Sequence, residues 1–184
     1  MSPKTRQPRP GPSFESIGEA AETRIARMHK SYLQKAIRLF RDGDYAEAGS
    51  AFKIAAAMES RPGIAQLGLV HAAFAMGRYG LAAAALVPLL REQADLANAG
   101  LAELLYGQQP QLSEQVGRFR QAMRRFDQNP RAMALAAYIF WAAGEQDLAR
   151  SSAAKAAKLD PDEPAYKALL EQLQTAESTG PASR

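Results

Sequence analysis

Apolar residues return every three or four positions along most of this chain, the period of an amphipathic helix. The first stretch is the clearest. Ile25, Met28, Tyr32, Leu33, Ala36, Leu39 and Phe40 fall on one side of a helix, and Arg24, Arg27, Lys30, Lys35, Arg38 and Arg41 collect on the other. The pattern predicts a helix from about Ser16, or slightly earlier, to Arg41. Further helices are predicted at about 44–58, 64–76, 79–92, 94–106, 112–127, 131–142, 146–158 and 164–176. Turn residues separate them: Asp42-Gly43-Asp44, Ser60-Arg61-Pro62-Gly63, Gly77, Gly107-Gln108-Gln109-Pro110, Asn129-Pro130, Gly144 and Asp160-Pro161. Glycine at such a point relieves the left-handed geometry that closes a helix, and Asp44 or Ser113 can cap the helix that follows. Pro88 should kink or shorten the fourth helix, because its ring removes one backbone donor. Val116, Phe119, Met123 and Phe126 form one apolar stripe on the sixth.

One motif recurs. Gly43-Asp44-Tyr45 leads to Ala48, Phe52 and Ala55; Gly77-Arg78-Tyr79 leads to Ala82, Leu86 and Leu89; Gly144-Glu145-Gln146 leads to Ala149, Ala153 and Ala156. The first two glycines are 34 residues apart, and the second and third are 67 apart, two such periods less one. A period near 34 marks an array of helical hairpins. One hairpin cannot hide both of its apolar stripes, whereas stacked neighbours can, and alanines at the contact let helices approach closely.

On these residues the chain resembles the tetratricopeptide repeat family. The best matches are Gly43/Tyr45/Ala48/Phe52/Ala55 and Gly144/Ala149/Ala156 with Leu159-Asp160-Pro161. The unit at Gly77 carries Leu86 in place of an aromatic, and residues 97–130 match poorly, with Arg120 where an apolar residue is expected. The resemblance covers roughly residues 29–161. It implies an all-α, right-handed α-solenoid of antiparallel helix pairs, with units at about 29–62, 63–96, 97–130 and 131–163 and a C-terminal capping helix at 164–176. The helical domain then spans 14–176, between a basic, proline-rich tail at 1–13 and a second tail at 177–184. Both tails are expected to be disordered.

In this family the first helix of each unit lines a concave surface. One slot would hold Phe40, Phe74, Gln108 and Trp141; the slot three residues earlier would hold Ile37, His71, Leu105 and Tyr138. These residues are either aromatic anchors for a partner peptide or helix, or packing against the next helix. Some members grip a chaperone's C-terminal carboxylate with Lys, Asn and Arg side chains. Leu33, Ile37 and Gly68 stand in the corresponding slots, so that partner is not expected.

Composition narrows the function further. Hydrophobic residues make up 47% of the 184, enough for a buried core, and the abundant alanine favours helix. There is no cysteine and there are two histidines, His29 and His71. No phosphate-binding loop, nucleophile elbow or metal-ligand spacing occurs. Asp42 and Asp44 read as a turn and a cap rather than a carboxylate pair. A non-catalytic protein is expected, without cofactor or metal. No apolar run approaches the roughly 20 residues that span a bilayer, and no signal peptide is evident at the N-terminus, so a cytoplasmic location is expected.

Charge supplies the alternative function. Residues 1–41 carry nine Lys/Arg against three Asp/Glu, and residues 118–131 carry five against one. Arg24, Arg27, Lys35 and Arg38 form one basic patch; Arg118, Arg120, Arg124 and Arg125 form another, interleaved with Phe119 and Phe126. Basic faces of this kind can hold nucleic acid through phosphates and stacking. The simpler reading is a solvated face with both phenylalanines turned to the core. The preferred function is a protein–protein interaction scaffold or adaptor binding a peptide or helix. Self-association through an exposed end of the array is a further expectation.

Overall fold

The computed structural model describes residues 14–61, 63–92, 100–107 and 110–178. Those residues form α1 (Phe14–Arg41), α2 (Tyr45–Ala56), α3 (Ile64–Ala75), α4 (Tyr79–Glu92), α5 (Leu101–Tyr106), α6 (Gln111–Met123), α7 (Pro130–Ala142), α8 (Gln146–Leu159) and α9 (Pro164–Ser178), with no strand among them. The 1–13 tail, residues 179–184, Gln108 and the 94–99 part of the predicted fifth helix lie outside the described residues.

The recurring motif is one turn built three times. Gly43, Gly77 and Gly144 have φ of +87°, +71° and +78°. In each turn the glycine N–H donates to the carbonyl three residues back: Phe40 (3.1 Å), Phe74 (2.9 Å) and Trp141 (2.9 Å). The next N–H donates to the carbonyl five back: Leu39, Ala73 and Phe140, at 2.9, 2.9 and 2.8 Å. This pair of bonds is the Schellman closure, and it satisfies carbonyls that a helix end would otherwise orphan. Phe40, Phe74 and Trp141 thus occupy equivalent positions in their units.

Other turns differ from the sequence expectation. Asp44 stands at the start of α2, but its side chain makes no capping bond. Ser113 lies inside α6, which starts after Pro110 without a side-chain cap. Asn129 instead caps α7, its Oδ1 accepting from Arg131 N (3.0 Å) and Ala132 N (3.2 Å), with Pro130 at the first helical position. α4 continues through Pro88 to Glu92. Pro88 and Ala84, whose carbonyl loses its helical donor, both face solvent, where water can replace that bond. α6 stops at Met123 rather than near 127, because Phe126 N–H and Asn129 N–H donate in tight turns to Met123 and Phe126. Phe126 therefore leaves the stripe and is 47% exposed. Ile25 and Met28 are also exposed, because they lie on the part of α1 that extends past its shorter partner α2.

Helices pack in succession: α1 on α2, α2 on α3, α3 on α4, and later α7 on α8 and α8 on α9. Small side chains line these contacts, including Ala48, Ala55, Ala82, Ala149, Ala153 and Ala156, all fully buried. At Gly68 a Cβ would fall 2.4 Å from the Phe52 ring, so α3 lies flat on that ring only because the position is glycine. The result is an all-α, solenoid-like array of antiparallel helix pairs. Its interruption is at residues 97–130. Beyond its hairpin mate α3, α4 packs mainly on α7, so the unit after α3–α4 in space is α7–α8. α5 rests on α1 and α3, and α6 on α7. α5 has six residues between Gly100 and Gly107, both at positive φ, and is too short to carry a stacking stripe.

Candidate functional site

α1, α3 and α7 are the first helices of the three stacked pairs, and α5–α6 covers the face they share. Tyr106 of α5 meets Phe40 edge-on, with ring centroids 5.0 Å apart, and lies 5.6 Å from the His71 ring. Arg41 at the end of α1 donates through Nε (3.0 Å) and Nη2 (2.6 Å) to the Leu104 carbonyl, one of the free carbonyls at the end of α5. Phe119 of α6 sits among Phe74 (5.3 Å), Tyr79 (4.8 Å) and Phe140 (6.1 Å).

A chain of polar side chains runs beneath these rings. The Tyr138 hydroxyl lies 2.9 Å from His71 Nε2, and His71 Nδ1 lies 3.4 Å from the Tyr106 hydroxyl. Tyr106 donates to Gln115 Oε1 (3.2 Å), and Gln115 Nε2 donates to the Tyr45 hydroxyl (3.0 Å). One assignment satisfies every link: Tyr138 O–H donates to Nε2, and Nδ1–H donates to Tyr106. It requires a neutral His71. Burial favours that form, lowering the imidazole pKa from 6.5 to about 4. Burial also raises the Tyr138 and Tyr106 phenols above their usual range. Five helices (α7, α3, α5, α6 and α2) each contribute one member. A buried polar chain of this kind is favourable only while each member stays paired.

The structure thus brings most of the predicted slot residues together, but under cover. Phe40, His71, Phe74, Leu105 and Tyr138 are buried, whereas Ile37 and Trp141 remain partly exposed. An open groove over the five buried residues is not present, because Tyr106 and Phe119 fill it. Sequence reasoning missed Tyr106 and Gln115. The available signal was Gln115 itself, a carboxamide one helical turn before Phe119 on an otherwise apolar stripe.

The basic residues separate by use. Arg24, Arg27, Lys35 and Arg38 are exposed along α1, with Arg27 bonded to the Thr23 carbonyl. Arg120 pairs with Glu145 and lies 5.7 Å over the Phe140 ring. Arg118, Arg124 and Arg125 are exposed and make no ion pair among the described residues. At the far end Arg91 of α4 forks onto the buried Glu163, with Nε 3.1 and 3.0 Å from its two oxygens, and Glu163 also accepts from Ala165 N (3.3 Å) at the start of α9.

Among the described residues, no group of three or more His, Cys, Asp or Glu is placed to hold a metal ion, and no helix is long and apolar enough to cross a membrane. What the fold defines is a class, an all-α array of stacked helix pairs with a covered inner face. Compared with known proteins, the chain matches no family model, no curated protein and no solved structure.

Proposed function

We propose that this chain is a non-catalytic, cytoplasmic interaction scaffold of tetratricopeptide type, binding a peptide or helix of a partner protein on its inner face. The observation that carries the reading is the face made by α1, α3 and α7. It is aromatic, it is built from three units closed by the same turn, and an amphipathic helix already lies on it. Recognition of a helix by an apolar groove needs this geometry and no reactive group. The test is to isolate the tagged protein from its own cells, with and without nuclease, in native and Trp141→Ala forms of equal thermal stability. A protein that survives nuclease and is lost with Trp141→Ala supports the scaffold. Absence of any such protein overturns it.

A second reading, association with nucleic acid, is favoured by the exposed Arg118, Arg124 and Arg125, which make no ion pair among the described residues. It requires binding that weakens steeply as salt rises, and that weakens further when these arginines become alanine. No retardation of RNA or DNA at low salt removes it.

A further inference from the structure

We infer that α6 is a helix held in cis on the seat meant for the partner, and that the partner is an amphipathic helix presenting the same face: a carboxamide, then an aromatic ring one turn later, within an apolar stripe. The inference rests on the scaffold reading and adds the chemistry of the occupant and the step that must precede binding.

Four observations carry it. First, α5–α6 is not a member of the stack, since α4 packs past it onto α7. The array is therefore continuous without this segment. Second, α6 lies as a bound helix lies. Gln115, Val116, Phe119 and Met123 are buried, one face at helical spacing, while Arg118, Gln121 and Glu114 face solvent. Third, its anchors end in sites that the other helices supply. Phe119 enters a cage of Phe74, Tyr79 and Phe140, and Gln115 bridges Tyr106 and Tyr45. Fourth, the buried face of α6 borders an open cleft. About 210 Å³ lies beside Phe119 and Met123, walled by Tyr79, Ala83 and Leu135 together with the polar Asn129 and Arg131, with the half-exposed Phe126 at its edge.

A tethered occupant competes at an effective concentration near millimolar. A partner must outbid it, and weakening α6 must open the seat. The experiment uses the full chain and, as probe, a fluorescent synthetic peptide of residues 110–126, read by anisotropy. The Phe119→Ala chain keeps the cage and loses the internal anchor. It is expected to bind the peptide at least tenfold more tightly than the native chain, and a peptide carrying Phe119→Ala is expected not to bind. Equal binding by the two chains, or binding by neither, overturns the inference. Circular dichroism checks that the variant keeps its helices. Should Phe119→Ala unfold, Gln115→Ala must show the same gain. If both unfold the array, α6 is core and the inference fails. That failure leaves the scaffold reading intact, because the co-purification test can still find a partner at the part of the inner face that α6 leaves open, around the partly exposed Trp141. Loss of the scaffold reading shows instead as no protein partner in that test.

Discussion

The Tyr138 hydroxyl donates to His71 Nε2 across 2.9 Å, joining two buried residues 67 positions apart in the chain. The bond ties α7 to α3 across the place where the array skips a segment, and it makes stability depend on proton concentration. The unfolded chain protonates His71 near pH 6.5, and the folded chain only near pH 4. Between these values the unfolded state binds more protons. The contribution of a neutral His71 is therefore complete above pH 6.5 and is lost as pH falls toward 4, about 3 kcal/mol across the window. Urea unfolding at pH 7 and pH 4.5 should show this loss in the native chain and a smaller one in His71→Leu. Equal losses in the two chains would exclude His71 as the cause.

Tyr138→Phe removes the donor but keeps the ring. It should cost about 1–3 kcal/mol at pH 7, the range for leaving a buried polar atom unpaired. Tyr45→Phe sits at the half-buried end of the same chain and should cost less. Equal costs in denaturant titrations would mean that the five side chains do not act as a graded series from core to surface.

Two helical glycines should respond to alanine with opposite sign. Gly68→Ala drives a methyl into the Phe52 ring and should destabilise by about 1–3 kcal/mol, as overpacking does. Gly117 on α6 has nothing within 4 Å of a new Cβ, so Gly117→Ala should stabilise by roughly 0.5–1 kcal/mol. A destabilised Gly117→Ala chain would argue against the exposed face assigned to α6.

The three Schellman glycines should behave alike. Alanine at Gly43, Gly77 or Gly144 forces a side chain into left-handed backbone at about 1–2 kcal/mol each. Thermal melts of the three variants test whether the turns are equivalent in energy as they are in geometry. A variant that melts with the native chain would show a turn able to relax out of this geometry.

Glu163→Gln should loosen the C-terminal end selectively. Hydrogen bonding from Arg91 holds the Glu163 carboxyl below its usual pKa, so its contribution is present above the ordinary carboxylate range and fades as pH falls below it. Hydrogen exchange should speed up in α9 while α2 and α3 stay protected. Uniform loss of protection would show that the Arg91–Glu163 pair supports the whole array instead.

Much of this was legible in the sequence because it depends on local rules. The glycines at 43, 77 and 144 mark their turns through backbone geometry that few other residues adopt, and the helix that each one closes follows from periodicity. Phe40, Phe74 and Trp141 fell into register for the same reason. What periodicity does not carry is the identity of the neighbour. Phe119 and Phe126 sit on one stripe in the sequence, yet the chain turns after Met123 and only Phe119 is buried. Ile25 and Met28 share a face with Phe40, but α2 is too short to cover them. Phe40, His71, Phe74 and Tyr138 fall on the face shared by α1, α3 and α7, but Leu105 lies on the segment that covers it, and that cover was not legible, because a helix pattern is the same whether the helix stacks in line or lies across its neighbours.

The direct packing of α4 on α7 also shapes how the molecule is made. α1–α4 and α7–α9 are each assembled from contacts between adjacent helices, which form quickly because little chain must be gathered. Their junction instead closes the whole stretch from Glu92 to Pro130 into a loop, and that closure costs entropy before any contact rewards it. The two halves are thus expected to condense separately and to join late, with the order of events on the path to the native state set by a detour in the chain.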